Sequence, residues 1–191
     1  MSNIGHNKGP TLEPGHLWRT HMWRSAQRKL MPNAVPLLVV RLRVKRAAEL
    51  GLDYKTYASI RQFSGQDIVG LLFSSNALRI LGRSAEMPDA ETRALRAVKS
   101  AKRLSLVHAP TPASDVLRAN PVLDATAAAP RFTDNWSQMR QRLQRFVRDQ
   151  HLPGNQILII GDTALESEWT TAARAAGYLP ADQYFRRASS A

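Results

Sequence analysis

The sequence predicts an α/β protein, a small parallel sheet flanked by helices, with a basic helical segment at its N-terminal end. Three observations carry this. Short apolar runs recur at residues 67–74 (DIVGLLFS), 103–107 (RLSLV) and 156–160 (QILII), each ended by polar loop residues. Stretches with helical spacing of apolar residues lie between them, and strands alternating with helices imply parallel pairing with crossover connections. Finally, the basic residues crowd toward the N-terminal end: residues 1–107 hold 18 Lys and Arg against 7 Asp and Glu, whereas residues 108–191 hold 9 against 8.

Residues 1–15 carry three glycines and two prolines with no apolar period, and read as a flexible arm. A basic helical segment follows over 16–63. Its first helix, His16 to Met31, would place Trp18, Met22, Ala26 and Leu30 on one face. The run from Pro36 to Phe63 allows two folds. As helices, Asn33 caps and Pro36 opens a first helix with Leu37, Val40, Val44, Ala47 and Ala48 on one face; Gly51 ends it, and a second helix runs from Asp53 to about Gln62. As a βα unit, residues 37–42 (LLVVRL) are a buried strand, in keeping with their valines.

The α/β domain is expected over 66–187. After the first apolar run comes a helix over 88–101, then the strand at 103–107 and a short helix at about 112–119. Residues 120–133, rich in Ala, Pro and Thr, read as a long surface loop. Asp134 would cap a helix to about Gln150 whose apolar face is Trp136, Met139, Leu143 and Val147, with Arg140, Arg142, Arg145 and Arg148 turned to water. The strand at 156–160 leads through Gly161-Asp162-Thr163 into a helix from about Ala164 to Ala176, closed by Gly177 as its C′ glycine.

The chain has no cysteine, which removes disulfides and thiolate metal sites and suits a reducing compartment; no apolar run reaches the length of a membrane span. A cytoplasmic protein is therefore expected. A net charge of +12 favours a polyanionic partner.

Two resemblances sharpen these expectations. The segment AAELGLDYKTYASI within residues 43–62 resembles the helix-turn-helix of DNA-binding proteins, with Ala47 where the helices cross and Leu50 and Ile60 in the core. That resemblance implies a nucleic-acid partner, duplex DNA first, contacted by Arg43, Lys45, Arg46, Tyr54, Lys55, Thr56, Ser59 and Arg61, in a DNA-binding regulator with an α/β ligand-sensing or association domain. The segment ILIIGDTALESEWTTAARAAGY resembles the last motif of the haloacid dehalogenase-like hydrolases, and LLFSSN the second. The likeness implies magnesium held by Asp162, with Glu166 as a second acid, and phosphate contacted by Ser74 or Ser75. That family's nucleophile is an aspartate in a D-x-D pattern after the first strand. On the strand reading of 37–42 its place is taken by Arg41 and Arg43, which cannot attack phosphorus, so no catalytic residue is assigned and magnesium enters only with the phosphatase-like alternative.

Independently, Ser75, His108 and Asp162 follow predicted strands at the edge where parallel sheets bind ligands. Ser74, Ser75, Asn76, His108, Asp162 and Thr163 are accordingly the candidate ligand residues, for a small anion met by the N–H groups of the helix after Asp162. A third alternative is an adaptor whose basic helix docks on an acidic protein or an anionic membrane.

Overall fold

The computed structural model describes residues 35–82 and 84–188, and the chain divides into two units, residues 1–40 and 41–191. The expected arm, the helix carrying Trp18 and Trp23, and the Asn33 cap lie outside the described residues. Residues 37–42 are helical: helix α1 spans Leu37–Glu49 and α2 spans Tyr54–Ser64. This settles the choice left open above against a strand. Asp53 caps α2 through its side chain, which accepts from the Thr56 N–H, and Gly51 between the helices has φ +71°. A Cβ there would stand 3.0 Å from the Tyr184 hydroxyl, which itself donates to the Leu50 carbonyl at 3.0 Å. Only glycine meets both conditions. The buried face of the two helices is Ala47, Leu50 and Tyr57, whereas the expected apolar positions Leu37 and Val44 are exposed.

Five strands form one wholly parallel sheet: β1 Gly70–Ser74, β2 Lys102–Val107, β3 Ala125–Ala128, β4 Ile157–Gly161 and β5 Gly177–Pro180, in the order β3-β2-β1-β4-β5. Helices α3 (Asp89–Ala97), α4 (Ala113–Ala119), α5 (Trp136–Asp149), α6 (Ala164–Ser167), α7 (Trp169–Ala173) and α8 (Ala181–Ala188) complete it. Because side chains alternate along a strand, each central strand feeds two cores. Leu71, Phe73, Leu158 and Ile160 join Ala47, Leu50, Tyr57, Leu95, Val116 and Tyr184 on one face. Leu72, Leu104, Leu106 and Ile159 join Leu143, Phe146, Val147 and Trp169 on the other. β1 and β4 are buried along their whole length, which is why they read as unbroken apolar runs.

Several boundaries depart from expectation. The loop expected at 120–133 contains β3, whose alanines have little strand propensity; its backbone pairing to β2 makes it a strand. Asn135, not Asp134, caps α5, with a reciprocal capping box to Gln138, and Asp134 instead pairs with Arg142 at 3.0 Å. Trp136 is exposed, and Phe146 takes its place in the core. The single helix expected after Thr163 is two short ones, α6 and α7, and the left-handed residue that ends α7 is Arg174. Gly177 opens β5, and neither β5 nor α8 was expected.

Arg46 ties these pieces together. Its guanidinium donates to Asp67 (3.1 Å), Glu49 (3.2 Å) and the carbonyls of Ile68 (2.7 Å), Lys99 (3.2 Å) and Ser100 (3.0 Å), so one side chain joins α1 to the segments entering β1 and β2. Asp67 also accepts from the Tyr57 hydroxyl at 2.7 Å. Burial pushes the Asp67 carboxyl up, and the bonds from Tyr57 and Arg46 outweigh it and hold it below its ordinary value. Arg46→Ala removes the guanidinium from these carbonyls and from Asp67 at once, leaving Asp67 to Tyr57 and Arg61. The expected loss is about 2–4 kcal/mol, a fall in Tm of roughly 5–10 °C by calorimetry, while Arg43→Ala stays within about 0.5 kcal/mol of wild type.

Candidate functional site

The strand order reverses direction between β1 and β4, so the loops leaving their carboxyl ends part there and open a crevice. The loop after β1 brings Ser75 and Asn76, the loop after β2 brings His108, and the turn after β4 brings Asp162, Thr163 and Glu166. Ser74 and Ser75 are buried. Ser74 Oγ accepts from the Ala77 N–H at 3.0 Å, and Ser75 Oγ accepts from the His108 N–H at 3.1 Å. Both hydroxyls hold loops.

At the centre lies Glu166, a carboxylate only 1% exposed. Its Oε1 accepts from Asn76 Nδ2 and from His108 Nε2, each at 2.9 Å. Its Oε2 accepts from the backbone N–H of Asp162 at 2.6 Å and of Thr163 at 3.0 Å. Burial by itself pushes this carboxyl up; the bonds from His108, the two N–H groups and the Ser74 hydroxyl overcome that and pull it down to about 2. An ionised carboxylate only accepts, so His108 Nε2 carries a proton. Gly161 makes room for this: a Cβ there would come within 2.8 Å of Glu166 Oε2 and 2.7 Å of the Tyr178 ring. Tyr178, whose hydroxyl donates to the Thr163 carbonyl at 3.0 Å, is raised to about 12 by burial and by the charges of Glu166 and Asp162.

The expected anion site at the helix after Asp162 is thereby filled from within. The N–H groups of Asp162 and Thr163 face the protein's own carboxylate, and α6 is only four residues long. Magnesium does not fit this arrangement either. Glu166 is surrounded by donors, Asp162 is paired with Arg79 at 2.7 Å, and no group of three acidic, His or Cys side chains among the described residues is placed to hold a metal.

Beside Glu166 opens a cleft of about 470 Å3. Trp169, buried and stacked on His108 with ring centres 5.6 Å apart, forms one wall. Phe132, 89% exposed, stands at the mouth with Met139 and Leu165. The charged lining is mainly acidic: Asp134, Glu166 and Glu168 against Arg131. His108 lines the cleft, and its Nδ1 has no hydrogen-bond partner among the described residues. A second hollow of about 340 Å3 adjoins through His108, Arg131 and Phe132.

The residues expected to contact nucleic acid fall into two groups. Arg46 is engaged as described, Arg61 pairs with Asp67 at 3.5 Å, and the Thr56 hydroxyl donates to Asp53 at 2.6 Å. Lys45, Lys55 and Ser59 are exposed, and Arg43 and Tyr54 are partly so. Among the cleft residues, Trp169, Phe132 and Arg131 escaped the sequence reading, since no motif marks an aromatic that lines a cleft. Glu166 had a legible signal in Thr163-x-x-Glu166, a capping box that the structure contains. Comparison with protein-family models, with curated proteins and with solved structures finds no match.

The depressed Glu166 carboxyl has a measurable consequence. Between its ordinary value of 4.5 and about 2 the unfolded chain binds the extra proton, so the stabilisation is whole above about pH 4.5 and drains as pH falls toward 2. Its size is of the order of 3 kcal/mol. Thermal melts followed by circular dichroism from pH 6 to the acid limit, about pH 2, should show Glu166→Gln less stable at neutral pH and shallower in its acid dependence.

Proposed function

We propose that the α/β body is a ligand-binding domain whose cleft at the carboxyl edge takes a small, flat molecule that is neutral or positively charged. The observation that carries this is the buried, ionised Glu166. It fixes Asn76, His108 and the turn after β4 at the point where the sheet changes direction, and so preorganises one wall of the cleft. The aromatic and aliphatic lining favours a flat apolar body. His108 Nδ1 offers a polar contact beside it. With Asp134 already paired to Arg142, Glu166 and Glu168 against Arg131 still disfavour the anion expected from sequence.

Binding is favoured over family-type phosphoryl transfer for a specific reason. With 37–42 helical, the first strand of the sheet is β1, and the place of the D-x-D pattern becomes Ser74-Ser75-Asn76. Its two serines are buried in structural bonds and its Asn76 is committed to Glu166.

A charge series on one ring tests the reading: benzamidinium, benzamide and benzoate, titrated while the His108 and Trp169 side-chain resonances are followed by NMR. Benzamidinium and benzamide should shift both resonances at millimolar concentration, benzoate least, and His108→Ala or Phe132→Ala should weaken binding about fivefold or more. Tightest binding by benzoate would return the cleft to an anionic ligand, and no shift from any member would end the proposal.

The charge supports a second reading, nucleic-acid binding by the basic N-terminal part, which the cleft would then regulate as a sensor. Net +12 is its observation, together with Lys45 and Lys55 standing exposed on α1 and α2. Affinity for a duplex oligonucleotide should fall with salt by a log-log slope of about −0.9 for each phosphate neutralised, and Lys55→Ala should reduce that slope by about one. A wild-type chain that does not bind duplex at low salt would remove this reading and leave the cleft untouched.

A further inference from the structure

A second concave surface lies away from the carboxyl edge, beside the amino end of β4. It is a groove of about 480 Å3 between the last turns of α5 and the end of α7. Arg148 stands on one wall and Arg174 on the other, with Val147, Leu152 and Ala173 as an apolar floor. We propose that this groove binds an organic phosphate, with the phosphoryl group between the two guanidiniums and its apolar substituent over the floor.

The charge pattern is the first reason. Arg46, Arg79, Arg103 and Arg142 each rest against a carboxylate of the protein. Arg148 and Arg174 have no ion-pair partner among the described residues, both are exposed, and no acidic side chain lines the groove. Two arginines that line one concavity, with no ion-pair partner among the described residues, match a dianion, and their planar forks suit phosphate oxygens.

The second reason is that the walls are held in place before any ligand arrives. Gln144 Nε2 of α5 donates to the Ala172 carbonyl of α7 at 3.1 Å, and Val147 and Phe146 share a core with Ala172 and Ala173. Across the groove, Gly154 packs backbone to backbone: a Cβ on it would lie 2.4 Å from the Ala173 carbonyl oxygen and 3.0 Å from that of Arg174. Arg174 is left-handed, with φ 55° and ψ 42°, and its N–H is satisfied by Thr170 and Thr171. Its backbone position is therefore determined by the fold, and a rigid site loses less entropy on binding.

The shared chemistry, a phosphate on an apolar body, can come from a free nucleotide or from the end of a nucleic-acid strand. Calorimetric titration of the full chain with adenosine, inorganic phosphate, adenosine 5′-monophosphate and a 5′-phosphorylated single-stranded oligonucleotide separates them. Adenosine 5′-monophosphate should bind more tightly than adenosine or inorganic phosphate. Arg148→Ala with Arg174→Ala should weaken it about tenfold or more, and the paired Lys substitutions should weaken it less. Arg131→Ala, in the other cleft, should change it less than about twofold. Equal binding of the oligonucleotide indicates the free nucleotide as the source, and tighter binding that the same arginines support indicates a strand end. Failure of wild type to bind either phosphorylated probe, or binding indifferent to the arginine pair with folding intact by circular dichroism, overturns the assignment. It stands or falls apart from the duplex titration, which reads Lys55.

Discussion

A carboxylate taken out of water must be given donors, and Glu166 receives them from three separate parts of the chain: Asn76 after β1, His108 after β2, and the N–H groups of Asp162 and Thr163 after β4. Each donor lies just past the carboxyl end of a strand. The charge can therefore be accommodated only when β1, β2 and β4 are side by side and in register. Remove the charge and the loops lose their common acceptor; remove a loop and the charge is left underserved. The cleft wall, the orientation of His108 and the close approach permitted by Gly161 all follow from that one desolvated group.

The same constraint gives the acids at this edge of the sheet partners from the chain itself. Where a magnesium ion would draw acids together, this chain supplies its own cation and donors. Arg79 neutralises Asp162, and Asn76 and His108 face Glu166. Glu168 and the Arg142-paired Asp134 line the cleft beside Glu166, while Arg148 and Arg174, with no ion-pair partner among the described residues, line the groove. A protein with a net charge of +12 thus carries a cleft whose lining holds more acidic than basic side chains. Net charge describes long-range attraction, and the chemistry of a particular cavity depends on which charges are already paired.

Arg46 makes the same point for stability. In the sequence it belongs to a basic cluster, Arg43-Val44-Lys45-Arg46, and nothing local distinguishes it from its neighbours. In the fold it is one turn above Leu50 and next to Ala47, and it alone of the cluster reaches the carbonyls before β1 and β2. It is a structural clamp, and so is Arg61 with Asp67 and Tyr57. The nucleic-acid reading rests on the exposed cations that remain.

The sequence by itself determined the α/β class, the apolar cores of β1, β2 and β4, and the place of Ser75, His108 and Asp162 at the carboxyl edge of the sheet, because a buried strand writes itself as an apolar run and its polar exit marks the carboxyl end. The turn chemistry at Gly51 and the Thr163-Glu166 box were equally local and equally legible. Only tertiary structure decided that residues 37–42 are helix, since their valines suit either state and burial of Ala47 and Leu50 against the sheet settles which. It alone made a strand of Ala125–Ala128, whose side chains carry almost no strand signal and whose pairing to β2 supplies the missing energy. It also assigned Glu166 to the buried centre of the site and Trp169 to the wall, because which donors surround an acid, and which aromatic faces a cavity, are properties of segments distant in sequence.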